Sequence, residues 1–212
     1  YAITPEQADT QRLLLQVEAV LDAGAAVLQY RAKSANAGLR LEQAIALRVL
    51  SAPYGVPLII NDDVQLAKAI AAAGVHLGAD DADPQQAREI LGEQAIIGAS
   101  CYASMERART MSNAGASYLA FGAFFTSPTK PEAARAPLEL LQAAQSLGKP
   151  LVAIGGILPQ HVAALHAAGA DLFAVISGLW HGNDSVAAAS AYVAQWDACE
   201  DIAATDPDSF IS

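Results

Sequence analysis

The chain is poor in basic residues, cysteines, aromatic rings and long apolar runs. It holds 12 Lys and Arg against 22 Asp and Glu, a formal net charge of −10. A nucleic-acid surface needs a basic face, so no nucleic-acid partner is expected. Its 2 cysteines, Cys101 and Cys199, lie far apart. They build neither a disulfide framework nor a paired-thiol metal motif, which points to reduced thiols in a cytoplasmic protein. No uninterrupted apolar segment is long enough to cross a bilayer, so no membrane association is expected. Tyr1 opens directly into a strand-like segment, with no secretory leader in view. Charged residues amount to only 16% against 53% hydrophobic. That balance excludes a disordered chain and supplies one sizeable core.

What the sequence does contain is one alternation, sustained almost from end to end. Short apolar runs such as "AAVLQYR" (25–31), "VPLIIN" (56–61), "AIIGAS" (95–100) and "PLVAIGG" (150–156) alternate with Ala-rich amphipathic stretches. Strands this apolar belong to a parallel sheet covered on both faces. Gly24, Gly74, Gly115 and Gly169 stand where a helix should end and a strand begin, the place for a left-handed cap. Eight such units predict a single-domain (β/α)8 TIM barrel over residues 1–196. An open doubly wound sheet is the rival, disfavoured because no Gly-rich dinucleotide fingerprint follows the first strand. Residues 197–212 read as a flexible acidic tail after a helix end.

Barrels of this kind carry their chemistry at the C-terminal ends of the strands. There the chain places Gln29, Arg31 and Lys33; Asn61, Asp62 and Asp63; His76, Asp80 and Asp81; and Ser100. The loop "FFTSPTKP" (124–131) adds Ser127, Thr129 and Lys130, followed by Gly155, Gly156, Ile176, Ser177 and Gly178. Arg31, Lys33 and Lys130, with nearby amide and hydroxyl donors, suit a diphosphate. Asp62 and Asp81, from adjacent strands, could share a hard divalent cation. The glycines after strand seven and the backbone after strand eight suit a second phosphate. Singly, each feature has a plainer reading: "NDD" as a helix cap, His76 as a packed interior histidine, Cys101 as a buried filler.

The ordered set "QYRAK", "IINDD", "GVHLGADD", "IGAS", "FFTSPTKP", "AIGGI" and "VISGL" resembles the thiamine-phosphate synthase family over residues 1 to about 180. The resemblance implies a Mg2+-dependent transferase, usually oligomeric (a dimer or trimer). Such an enzyme joins a pyrimidine diphosphate to a thiazole phosphate and releases pyrophosphate. It implies that Gln29, Arg31, Lys33, Asn61, Ser100, Ser127, Thr129 and Lys130 hold the substrates. Arg31, Lys33, Ser100 and Lys130 would act in catalysis, Asp62 and Asp81 on the metal. Gly156, Ile176 and Ser177 would cradle the thiazole phosphate. Ala79 replaces the family's usual Gln, and Ser127 its usual Thr. A thiazole tautomerase and a non-catalytic sensor barrel are the alternatives.

Overall fold

Strand and helix alternate along the chain in the computed structural model, which describes residues 1–126, 135–180 and 184–205, with side chains as far as Asp201. The strands are β1 (Ala2–Ile3), β2 (Leu28–Tyr30), β3 (Leu58–Asn61), β4 (Gly74–Leu77), β5 (Ile96–Tyr102), β6 (Tyr118–Phe121), β7 (Leu151–Ile154) and β8 (Leu172–Ala174). Between them run α1 (Thr10–Asp22), α2 (Ala37–Ser51), α3 (Val64–Ala69), α4 (Pro84–Leu91), α5 (Met105–Asn113), α6 (Glu139–Ala144) and α7 (Val162–Ala167). A short α8 (Ser177–Trp180) and a long α9 (Ser185–Thr205) follow β8. The strands pair in chain order, all parallel. A parallel bridge from Ala2 to Val175 joins the last strand to the first, with Ile3 N donating to Val175 O at 3.0 Å. This is the expected (β/α)8 barrel.

Strand alternation divides the apolar residues into two layers. Ile3, Tyr118, Ala120, Val152 and Ala174 form a cluster made of strand residues alone, the barrel interior. Their immediate neighbours Ala2, Leu119, Phe121, Ala153 and Val175 join helix residues such as Leu13, Val17, Leu47 and Ala67 in the layer outside. Cys101 is buried in that outer layer, as a filler should be, and both cysteines are free.

Polar side chains start five of the helices. Asp9, Asn36, Asp63, Asp83 and Ser104 each accept from a backbone N–H of the first turn. The glycine reading needs one correction. Gly24, Gly115 and Gly169 have φ of 98°, 91° and 96°. Gly74 does not; it is the first residue of β4, and a Cβ there would collide with the Ile96 backbone. Ala71, at φ 50°, makes the left-handed turn instead. The last helix continues past Trp196 to Thr205, so the 196 boundary falls inside it.

Candidate active site

At the C-terminal mouth, the first two strands present a cation-bearing segment. Arg31 and Lys33 lie just beyond β2, and residues between β1 and α1 hold that backbone in place. Thr4 Oγ1 accepts from Arg31 N at 2.9 Å. Glu6 accepts from Lys33 N at 2.8 Å and from the Ser34 hydroxyl at 2.6 Å, and lies 3.7 Å from the Arg31 guanidinium. Those bonds hold the Glu6 carboxyl below its usual range even though desolvation, the largest influence, pushes it up. Thr4 and Glu6 carry no motif, so sequence reasoning missed them.

Asn61 ends β3, and Asp62 follows at φ 65°, a conformation that costs a non-glycine residue energy. Asp62 Oδ2 meets Lys33 Nζ at 3.1 Å. Asp81, from the loop after β4, accepts from Gly78 N at 2.7 Å and lies close enough to Asp62 to be influenced by its charge. Burial, then the neighbouring Asp62, raises the Asp81 carboxyl above its usual range, against the Gly78 bond. Asp63, the next residue after Asp62, instead caps α3 and lies 3.5 Å from Arg40. The cap reading of "NDD" therefore holds for Asp63, while Asp62 faces Lys33 and Asp81. A hollow of about 400 Å³ opens here, lined by Tyr30, Lys33, Arg40, Asn61, Asp62 and Asp63 among others.

Inside the barrel a polar chain crosses from β2 to β5. Gln29 Nε2 donates to Tyr1 Oη at 2.7 Å, and Tyr1 and Tyr118 hydroxyls meet at 2.7 Å. Tyr118 Oη lies 2.9 Å from His76 Nδ1, and His76 Nε2 lies 2.9 Å from Ser100 Oγ. Burial pushes the His76 pKa down to about 4, with the Asp62 charge pulling weakly the other way. His76 is thus the packed, hydrogen-bonded histidine expected, but it is bonded to Ser100. Arg107 of α5, also without a motif, donates to Ser100 O at 2.6 Å and Gly78 O at 2.8 Å, tying the ends of β4 and β5 together.

On the opposite rim, Gly155 and Gly156 sit at φ 100° and 63° directly against the segment after β6. A Cβ on Gly156 would strike the Phe125 and Thr126 carbonyls. Phe125 N donates to Gly155 O at 2.9 Å. Ile176 and Ser177 lead into α8, which Trp180 Nε1 anchors to Ile3 O at 2.7 Å. The structure therefore brings together Gln29, Arg31, Lys33, Asn61, Asp62, Asp81 and Ser100 on one side of the mouth. Gly156, Ile176 and Ser177 follow β7 and β8 on the other. Ser127, Thr129 and Lys130 lie outside the described residues.

The chain is thus a closed (β/α)8 barrel with cations, neighbouring carboxylates and a glycine turn around its C-terminal mouth, the end where barrels of this class carry their chemistry. The family model described as thiamine monophosphate synthase matches residues 1–179. The thiamine-phosphate synthase of Xanthomonas campestris pv. campestris (strain 8004) is 53% identical over 192 residues, covering 91% of this chain and 92% of that protein. That of Azoarcus sp. (strain BH72) is 53% identical over 195 residues, covering 92% and 95%. The solved thiamine phosphate pyrophosphorylase from Pyrococcus furiosus superposes with a TM-score of 0.85 at 32% identity, covering 94% of this chain and 95% of that one. The chain belongs to the thiamine-phosphate synthase family, and is a transferase of thiamine biosynthesis.

Proposed function

We propose that the protein makes thiamine phosphate from a pyrimidine diphosphate and a thiazole phosphate, releasing pyrophosphate. The observation that carries this reading is the Lys33–Asp62 ion pair at the strand ends, with Asp81 within reach of both charges. Neighbouring carboxylates, one with its pKa raised, form an arrangement that a divalent cation relieves. Asp62 and Asp81 would hold Mg2+, whose shell water and diphosphate oxygens complete. When bound, Mg2+ supplies positive charge against the leaving diphosphate.

The protein's own groups then bind and orient. Arg31, Lys33 and Lys130 neutralise and orient the diphosphate, with Gln29, Asn61, Ser100, Ser127 and Thr129 as hydrogen-bonding partners of the substrates. The C–O bond breaks with its electron pair leaving on the diphosphate, and the electron-rich aminopyrimidine stabilises the methylene cation. The thiazole nitrogen supplies the pair for the new C–N bond, its phosphate held at Gly156, Ile176 and Ser177. No protein base is required; alignment and leaving-group stabilisation suffice.

A homo-oligomer, dimer or trimer, is supported by the apolar row Leu41, Ile45 and Val49 exposed along α2, with Leu15 exposed on α1. A cytoplasmic location agrees with two free thiols. No helix among the described residues is long and apolar enough to cross a membrane.

The decisive assay mixes protein, both substrates and Mg2+, and follows thiamine phosphate by fluorescence after oxidation. Product that depends on Mg2+ is expected. Folded protein that yields none would return the tautomerase and sensor readings to consideration.

A further inference from the structure

The interior chain of hydrogen bonds is satisfied from end to end when it runs from the Gln29 amide nitrogen towards Ser100, and that direction sets what the site offers a ligand. Gln29 donates through its amide nitrogen to the Tyr1 oxygen; Tyr1 then has Tyr118 as the partner for its own proton, and the buried hydroxyls are all satisfied when Tyr1 donates to it. In that direction Tyr118 donates in turn to His76 Nδ1. A neutral His76 then carries its proton on Nε2 and donates to Ser100 Oγ. Ser100 is left with a free O–H to donate, and Gln29 with its carbonyl oxygen as acceptor.

We infer that Tyr1 and Tyr118 are positioning residues that set this donor–acceptor pattern for the pyrimidine half of the site. The inference rests on the synthase reading above. A ligand lying between β2 and β5 would meet an acceptor at one wall and a donor at the other. An aminopyrimidine, with an exocyclic N–H beside a ring nitrogen, has the matching pattern.

The barrel is built to let the chain form. His76, Gly98 and Tyr118 stand in register on β4, β5 and β6. The histidine and tyrosine meet over the intervening glycine, rings nearly parallel with centroids 5.6 Å apart. A Cβ on Gly98 would fall onto the Tyr118 ring and hydroxyl and 2.6 Å from His76 Nδ1. Any side chain at Gly98 would displace the tyrosine or the histidine, so the glycine keeps open the gap in which the two meet.

The experiment compares wild type with Tyr118→Phe and Tyr1→Phe, reading the His76 tautomer by 15N NMR and the KM of each substrate separately. Wild type should show proton on Nε2. Tyr118→Phe frees His76 to move that proton to Nδ1, which turns Ser100 from donor to acceptor. Its KM for the pyrimidine diphosphate should rise about tenfold, the scale of one hydrogen bond lost. The KM for thiazole phosphate and inhibition by inorganic pyrophosphate should stay within about twofold. Tyr1→Phe should show a smaller rise with the same selectivity. Wild-type protein with its proton on Nδ1 would overturn the relay whatever the activity. So would variants whose two KM values are unchanged or rise together, the mark of a general structural defect. Wild type that shows the Nε2 proton but makes no thiamine phosphate would instead refute the synthase reading itself.

Discussion

Burial, and then the neighbouring Asp62, makes the charge of Asp81 costly, and a cation bound as proposed would relieve that cost. A carboxyl raised in the fold binds its proton more tightly there than in the unfolded chain. Stability therefore falls as pH rises through the interval between the two values. Asp81→Asn should remove the repulsion while keeping an acceptor for Gly78 N. In metal-free buffer its Tm is expected to equal or exceed that of wild type, with turnover lower by orders of magnitude. Mg2+ should raise the Tm of wild type and leave the variant's unchanged; thermal scans with and without the ion decide it. His76 works in the opposite sense. Its pKa is lowered from 6.5 to about 4, so the unfolded chain takes up the proton first as pH falls. Stability is present above about 6.5 and lost progressively down to about 4, on the order of 3 kcal/mol at ~1.4 kcal/mol per unit. Urea titrations at pH 7 and 4.5 should show a smaller loss in His76→Gln than in wild type.

Among the secondary-structure elements, adjacent aspartates separate holding the fold from serving the site. Asp63 caps α3 through Leu66 N at 2.8 Å. Asp63→Ala should cost about 1 kcal/mol in denaturant unfolding, and Asp63→Asn much less, since asparagine caps as well. Asp62→Asn should preserve stability, because asparagine tolerates φ 65°, yet abolish Mg2+-dependent turnover. A pair in which Asp63→Asn lost turnover and Asp62→Asn kept it would reverse these assignments. Arg107 ties two strand ends through carbonyls of Ser100 and Gly78. Arg107→Met is expected to lose about 2 kcal/mol and to loosen the loop that carries Asp81, visible as faster amide exchange at Gly78.

For the barrel as one body, closure is what turns eight two- to seven-residue strands into one site. Joining β8 to β1 removes both sheet edges and gathers the strand ends around one mouth. The face that remains apolar is elsewhere, on α2 and α1, where Val49 and Leu15 are 65% and 68% exposed. If that face is the oligomer contact, Ile45→Glu with Val49→Glu should shift sedimentation towards the monomer while the barrel stays folded. An unchanged sedimentation coefficient would place the contact elsewhere.

Much of this is readable from the chain alone, because strand and helix periods, caps and strand-end polar residues are local properties. The barrel follows from alternation and order, and so do the strand-end positions of Arg31, Lys33, Asp62, Asp81 and Ser100. Local pattern misplaces Gly74, since whether a glycine turns the chain or makes room for a neighbouring strand depends on what packs against it. It also stops short of the interior chain. Tyr1, Gln29, His76, Ser100 and Tyr118 lie on five different strands or their approaches and share no motif. Only closing the sheet brings them within hydrogen-bonding distance. Which residues face the mouth follows from their order along the chain. Which of them touch follows from the closed barrel, because contact across it depends on register and closure rather than on neighbours in sequence.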